Sequence, residues 1–151
     1  MIRVFSARPP LALGLAREAV DYEWYRDRLA HPELVNNAVS ISLFRLPLLA
    51  VPVAGCRLGG FLAMANLMDA YAVGELLARR AGFPAPRVRW SVHPDTCHVV
   101  EWGARPPADG DDAVLGRFYG YSEAAIAEFA AGRPRFELPV AAPPLAVATV
   151  R

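Results

Sequence analysis

The residues best suited to chemistry cluster in one segment of the chain, residues 87–102. Two stretches of alternating side chains flank a short Pro-Asp turn there, so the segment predicts a β-hairpin. If the turn closes tightly, Arg87 faces Trp102 across the hairpin. Because side chains alternate along a strand, Arg89 and His98 then lie on that same face.

A face with two arginines beside an indole ring is suited to binding an anionic group. Arginine side chains match the geometry of carboxylate and phosphate groups, and a tryptophan ring offers a stacking surface. Arg87, Arg89 and Trp102 could therefore bind an anionic group that lies next to a ring. The alternative is a solvated surface on which the arginine stems cover Trp102.

The opposite face of the same hairpin is apolar except for one carboxylate. Glu101 would lie there opposite Val88, in surroundings that raise the pKa of a carboxyl group. Glu101 could then act as a general acid or base, with His98 as the second candidate for moving protons. The alternative is a buried ion pair between Glu101 and an arginine of another element.

The hairpin is also rich in residue types that bind metals. His93, Asp95, Cys97, His98 and Glu101 fall within nine positions. On a strand His98 points away from its neighbour Cys97 and from Glu101, and the spacing matches no standard zinc pattern. We therefore predict no metal site.

The basic residues exclude several cofactor chemistries. All 16 are arginine, and the chain contains no lysine. A Schiff-base lysine, a pyridoxal phosphate anchor and a phosphate-loop lysine are therefore impossible. We predict a protein without a cofactor.

A second concentration of aromatic residues lies in residues 116–122, with the sequence Gly-Arg-Phe-Tyr-Gly-Tyr-Ser. Tyr119 and Tyr121 could line a pocket or form part of a lid, because aromatic side chains on a glycine-flanked segment can move over a ligand. The alternative is that they close one side of the core. Tyr22, Trp24 and Tyr25 could meet them, in which case the cluster lies at a rim or cleft where the phenol groups find polar partners.

Hydrophobic periodicity predicts the elements that carry these residues. The predicted order is α-β-β-β-α-β-β-α, which indicates an α+β fold with a mostly antiparallel sheet of about five strands and helices packed on it. The predicted elements are helices at residues 11–30, 66–81 and 123–131, and strands at residues 39–43, 48–53, 61–65, 87–92 and 97–102. Asn66 is predicted to cap the second helix.

The length and composition of the chain limit its domain organisation, its location and the partners that it can bind. The chain of 151 residues, 54% of them hydrophobic, fits one domain at residues 11–132 between an N-terminal segment, residues 1–10, and a proline-rich tail, residues 133–151. No stretch is long and apolar enough to cross a membrane or to direct export, and two cysteines suit a reduced cytoplasmic protein. A formal net charge of +1 disfavours nucleic acid as a partner.

Several of these segments together resemble a known family. They are Asp-Tyr-Glu-Trp-Tyr at residues 21–25, Arg-Trp-Ser at residues 89–91, Asp-Thr-Cys-His at residues 95–98, Val-Glu-Trp-Gly at residues 100–103 and the aromatic segment at residues 116–122. The pattern is similar to a family of small actinobacterial proteins known only as a domain of unknown function, and it covers residues 21–131. The resemblance implies an actinobacterial, cytoplasmic origin and carries over no activity, cofactor or site residue.

Three functions remain open at this point. The first is an accessory or binding domain for a small molecule or a protein, which self-associates through its aromatic and arginine surface or through a strand at residues 145–150. The second is a small cofactor-free isomerase, cyclase or hydrolase of specialised metabolism. In that enzyme Glu101 or His98 would move protons, Arg87 or Arg89 would hold an anion, and Tyr119 or Tyr121 would shape the pocket. The third, a nucleic-acid binder, would stack bases on exposed aromatic residues.

Overall fold

The computed structural model of the protein describes residues 11–43, 46–92 and 97–132. Six strands and four α-helices, with two short 3₁₀ helices at Ala16–Glu18 and Pro32–Asn37, make up these residues. In chain order they are β1 (Ala12–Leu15), α1 (Tyr22–Arg28), β2 (Val39–Leu43), β3 (Leu46–Ala50), β4 (Gly59–Met64), α2 (Leu67–Ala78), β5 (Arg87–Arg89), β6 (His98–Gly103), α3 (Asp112–Phe118) and α4 (Glu123–Ala130).

The strands form two antiparallel sheets rather than one. The first sheet has the order β1-β2-β3 and the second has the order β4-β6-β5. The predicted α+β class is confirmed, whereas the single sheet of about five strands is replaced by two sheets of three. The short link between β2 and β3 gives the antiparallel pairing that the sequence indicated, whereas β4 pairs with β6 in the second sheet.

The helix predicted over residues 11–30 is wrong over its first half, residues 11–21. Residues 12–15 form β1, which pairs with β2 so that Leu13 lies opposite Ile41. The helix itself is confined to the seven residues of α1. The spacing of residues within the segment favoured a helix. Leu11 and Leu13 instead pack on the core from the edge of a sheet, and this burial stabilises the strand over the helix. No local pattern reveals that burial.

The second helix follows its prediction closely. The side chain of Asn66 accepts hydrogen bonds from the backbone N–H groups of Met68 and Asp69, as a helix cap requires. One face of α2 is fully buried through Ala70, Val73 and Leu77. This apolar stripe packs against β5 and β6 and covers one face of the second sheet.

The two sheets share one core. Ile41 of the first sheet, Val100 of the second and Leu77 of α2 are all completely buried in it. A second cluster, which includes Leu34 and Leu49, fills the space between the first sheet and the short helices of residues 16–37. The first sheet is thus covered on both faces, and the second sheet is covered by α2 on one face.

No helix in the described part of the chain is long and apolar enough to cross a membrane. The predicted N-terminal segment, residues 1–10, and the proline-rich tail, residues 133–151, lie outside the described residues. The predicted strand at residues 145–150 therefore stays a prediction.

Candidate functional site

The hairpin pairs in a different register from the predicted one. Arg87 lies opposite Glu101 and Arg89 lies opposite Val99, whereas the prediction placed Arg87 opposite Trp102. The pairing has slipped by one residue, and such a slip moves every side chain of one strand to the other face. The physical reason is that this register buries Trp102 and brings Glu101 together with the arginines.

The face of the second sheet that points away from α2, called here the outer face, carries two rows of side chains. Pairing across the three strands gives a row of Phe61, Glu101 and Arg87 and a row of Ala63, Val99 and Arg89. Neighbours within such a row are about 5 Å apart between Cβ atoms, so the charged and apolar groups are in contact range. Phe61 keeps 44% of its surface exposed.

Two arginines hold the single carboxylate of this face. Arg89 Nε donates to Glu101 Oε1 at 2.9 Å, and Arg87 Nε donates to Glu101 Oε2 at 3.3 Å. Arg87 also donates to three backbone carbonyl oxygens, those of Ala85, Gly103 and Ala104. Glu101 is therefore a buried ion-pair partner rather than a free carboxylate, but its two arginines belong to the hairpin itself and not to another element, as the alternative had it.

Two predicted site residues lie on the other face. Trp102 is buried in the core with 1% of its surface exposed, and its indole N–H donates to the carbonyl oxygen of Val51 at 3.0 Å. His98 accepts a hydrogen bond on Nδ1 from the backbone N–H of Ser91. The sheet thus separates Trp102 and His98 from Glu101, Arg87 and Arg89.

Three separate segments meet beside the outer face. The backbone N–H of Leu58 donates to the carbonyl oxygen of Phe118, and that of Ala30 donates to the carbonyl oxygen of Gly120. Leu29 and Tyr121 form an isolated antiparallel bridge. The end of α1, the turn before β4 and the segment after α3 are held together by these bonds.

The junction of these segments contains a group called here the tyrosine–arginine cluster, made of Tyr25, Arg57, Tyr119 and Tyr121. Arg57 is 3% exposed, and its Nη1 donates to the carbonyl oxygen of Tyr119 at 2.7 Å. The guanidinium carbon of Arg57 lies 6.0 Å from the centre of the Tyr25 ring, within range of a cation–π contact. Arg57 Nε is buried without a hydrogen-bond partner among the described residues.

The environment of this cluster raises the pKa values of its phenol groups and lowers the pKa of its guanidinium group. Burial of its phenol group raises the pKa of Tyr25, although the residue as a whole keeps some exposed surface. Burial also raises the pKa of Tyr121, which is hydrogen-bonded to Tyr25. Burial lowers the pKa of Arg57, while the three neighbouring phenol groups oppose that shift.

Tyr119 joins the tyrosine–arginine cluster to the outer face. Its ring contacts the ring of Phe61 with 5.3 Å between the centroids. Its pKa is raised first by burial and second by the charge of Glu101, with Arg57 and Arg89 acting in the opposite direction. A chain of contacts therefore runs from the buried Arg57 through Tyr119, Phe61 and Glu101 to the exposed Arg89.

The structure brings together five of the seven predicted site residues and adds others. Arg87, Arg89, Glu101, Tyr119 and Tyr121 lie in the outer face or the tyrosine–arginine cluster. The expected meeting of the first helix with the aromatic segment is confirmed, because the rings of Trp24 and Tyr121 are 5.7 Å apart. Sequence reasoning missed Arg57 and Phe61, since a lone arginine in a turn and an aromatic residue on a strand carry no distinguishing pattern.

Asp21 is a further buried acid that the sequence did not single out. It precedes α1 and accepts a hydrogen bond from the backbone N–H of Leu49 in β3 at 2.8 Å. Burial raises the pKa of Asp21 from 3.8 to about 6, although the hydrogen bond from Leu49 lowers it. In the sequence Asp21 is only an acidic residue at the start of a helix, where such residues ordinarily serve as caps, so nothing marked it as buried.

The metal-ligand types of the hairpin can be assessed in part. His93 and Asp95 lie outside the described residues. No group of three potential metal ligands occurs among the residues that the structure describes. Cys97 and Cys56 are both exposed and unpaired with each other.

The outer face offers hydrogen-bond donors beside an aromatic surface. The outer face combines a carboxylate already engaged by two guanidinium groups with an exposed aromatic ring. Among described residues, the terminal nitrogens of Arg89 form no hydrogen bond, and its side chain is 69% exposed. Such nitrogens are donors that fit an incoming carboxylate or phosphate group.

Gly120 allows the tyrosine–arginine cluster to close. It has φ +76°, and a Cβ atom there would lie 2.6 Å from Arg57 Cβ and 2.9 Å from Arg57 Cα. Gly120→Ala is expected to destabilise the protein by about 3 kcal/mol, from the left-handed backbone and the displaced Arg57 backbone together. Urea unfolding measures the loss.

Gly132→Ala is the matched control for that substitution. Gly132 has φ +68°, but no described atom lies within 4 Å of its added Cβ. It should therefore show only the backbone component, about 1 kcal/mol. Equal losses of unfolding free energy in the two variants would mean that the close approach of Gly120 to Arg57 does not contribute to the effect of the substitution.

The fold and the site define an α+β domain with an arginine- and aromatic-bearing sheet face and no recognisable catalytic constellation among the described residues. The chain belongs to a family of unknown function, DUF6302, whose profile matches residues 13–148. This confirms the expected membership of a family known only as a domain of unknown function. Comparison with curated proteins and with solved structures found no match.

Proposed function

We propose that the protein is a binding domain whose outer face recognises a protein segment carrying an acidic residue next to an aromatic or aliphatic one. The observation that carries the proposal is that Phe61, 44% exposed, and Arg89, whose side chain is 69% exposed, lie on the same face of the second sheet. Phe61 supplies apolar contact, and Arg89 supplies donors for an oxyanion.

The charge of the outer face favours an acidic partner. Two arginines face one glutamate there, so the face keeps one net positive charge. A second copy of the same face would present the same sign and be repelled. Self-association through residues 145–150 stays a prediction, since that segment lies outside the described residues.

The geometry of Glu101 supports binding over catalysis. Both of its carboxylate oxygens accept hydrogen bonds from arginine Nε atoms, and a general base needs an oxygen that can reach a substrate proton. His98, the other proton-moving candidate, is on the opposite face. The cofactor-free enzyme rested on a register that left Glu101 among apolar groups, and the observed register instead pairs Glu101 with Arg87 and Arg89.

The cytoplasm is the proposed location. Both cysteines are exposed, and neither forms a disulfide with the other. Exposed thiols in this state suit a reducing compartment better than an oxidising one.

Random peptides displayed on phage and selected against the immobilised protein test this function. We expect selected peptides to contain Asp or Glu beside an aromatic or aliphatic residue. Affinity for a selected peptide, measured by fluorescence anisotropy, should fall at least ~10-fold in Phe61→Ala and in Arg89→Gln, because interface anchors of these types dominate binding energy. Added salt should weaken binding.

Two variants on other surfaces provide matched controls. Tyr71→Ala removes a ring that is 48% exposed on α2, and Arg26→Gln removes an arginine whose side chain is 48% exposed on α1. Both should bind the peptide like the unaltered protein. Selected peptides without acidic residues, or peptides that bind Phe61→Ala and Arg89→Gln at full strength, would contradict the proposal.

A further inference from the structure

An open groove of about 610 Å³ lies on a different part of the molecule, between the 3₁₀ helix Pro32–Asn37 and the C-terminal end of α2. Its size falls within the range of sites that hold small organic ligands. It contains no residue of the outer face or of the tyrosine–arginine cluster.

The floor of the groove is apolar and rigid. Leu34, Ala38 and Pro52 line it, and all three are buried. The backbone N–H of Val53 donates to the carbonyl oxygen of Gly82 at 2.9 Å, which joins the end of the α2 connection to the segment after β3. Gly82, with φ +92°, approaches Pro52 so closely that a Cβ atom would lie 2.5 Å from Pro52 Cβ.

The rim of the groove carries hydrogen-bond donors that have no partner in the part of the chain that the structure describes. Arg79 and Arg80 come from the end of α2, and Asn36 and Asn37 come from the 3₁₀ helix. All four are exposed, and within the described ranges none of their side chains forms a hydrogen bond or ion pair. The salt bridge that helical spacing suggests between Glu75 and Arg79 is not formed.

The electrostatic balance of the groove is positive. Its lining includes two guanidinium groups and no carboxylate. The end of a helix contributes about half a negative charge, and here the last turn is partly satisfied by the backbone N–H groups of Arg79 and Arg80, which donate to Leu76 and Leu77 carbonyl oxygens. Two full positive charges outweigh that contribution.

We infer that this groove binds a small organic anion, with its carboxylate or phosphate group between Arg79, Arg80 and the two asparagine amides and its short apolar body on the floor. Guanidinium groups and amide N–H groups are the donors that proteins use for such oxyanions. The apolar floor adds contact area for carbon atoms, which a bare inorganic ion lacks.

Phenyl phosphate, titrated into ¹⁵N-labelled protein, tests the inference, with phenol as its uncharged counterpart. We expect saturable shifts of the side-chain N–H signals of Arg79, Arg80, Asn36 and Asn37 with phenyl phosphate and none with phenol. The Arg79→Gln/Arg80→Gln variant should bind phenyl phosphate at least about ten-fold more weakly, because each charge-assisted hydrogen bond contributes substantially to the affinity.

An Arg26→Gln/Arg117→Gln variant is the control, since it removes the same charge from two exposed arginines elsewhere. It should retain the phenyl phosphate affinity of the unaltered protein, as should Phe61→Ala, which separates this site from the outer face. Non-saturable shifts, or equal affinity in the Arg79→Gln/Arg80→Gln variant and the control, would overturn the inference. Equal affinity for inorganic phosphate and phenyl phosphate would overturn the role of the apolar floor.

Discussion

Asp21→Asn is expected to stabilise the protein at neutral pH by on the order of 3 kcal/mol and to have little effect at pH 3.5. Burial raises the pKa of Asp21 from 3.8 to about 6 in the folded protein. Each pKa unit corresponds to about 1.4 kcal/mol of difference between the two protonation states. An asparagine has the same shape, carries no charge and still accepts the hydrogen bond from the backbone of Leu49.

The sign of the pH dependence follows from the raised pKa. Below pH 3.8 the carboxyl group of Asp21 is neutral in both the folded and the unfolded chain, and its full contribution to stability is present. As the pH rises through about 6, the folded protein must ionise a buried group, and that contribution is lost. The stability difference between Asp21→Asn and the unaltered protein should therefore grow across this interval and level off above it.

Urea unfolding of both proteins at several pH values measures this difference. Asp27→Asn serves as the control because Asp27 lies in α1, the helix that follows Asp21, and its side chain is 61% exposed. Its effect should be small and should not grow as the pH rises. A stability difference for Asp21→Asn that is independent of pH would show that Asp21 ionises in the folded protein as it does in water.

Trp102→Ala is expected to produce the largest loss of stability, about 4 kcal/mol or more. A buried tryptophan removed from a core costs about 3–5 kcal/mol through lost burial and the cavity left behind. The carbonyl oxygen of Val51 also loses the indole donor at 3.0 Å. Because Val51 follows β3 and Trp102 lies in β6, the substitution removes a hydrogen bond that joins the two sheets.

Trp102→Phe separates packing from hydrogen bonding in this prediction. It keeps an aromatic ring near Phe83, whose ring contacts that of Trp102 at 5.3 Å between centroids, and removes only the indole N–H and part of the volume. Its loss should be smaller than that of Trp102→Ala. Trp90→Ala is the control, since Trp90 is 58% exposed, and denaturant unfolding should show an effect below about 0.5 kcal/mol.

A Trp102→Ala protein that unfolds like the unaltered one would contradict the buried position of this ring. It would also revive the sequence-based expectation that Trp102 lies beside Arg87 and Arg89. The measurement therefore tests the observed strand register as well as the packing of the core.

Local signals predicted the elements whose side chains alternate or repeat clearly. The alternation of Val39, Ser40 and Ile41 predicted β2, and Asn66 with the stripe of Ala70 and Val73 predicted α2. For α2 the short-range pattern and the final burial agree, so neighbouring residues along the chain contain the information. For β2 the pattern gave the strand but not its burial, because Ser40 is buried as completely as Ile41. The first strand lacked such agreement because its partner, β2, follows more than twenty positions later.

By itself, the amino-acid sequence determined the α+β class, the chemistry excluded by the lack of lysine, and the group of residues from which a site is built. Tertiary structure decided which of those residues meet. A hairpin pattern with period two is compatible with registers one residue apart, and only packing on α2 and β4 selects the one that buries Trp102 and pairs Glu101 with Arg87 and Arg89. Arg57 joined Tyr119 and Tyr121 for the same reason, since contacts between residues about sixty positions apart depend on the folded chain as a whole.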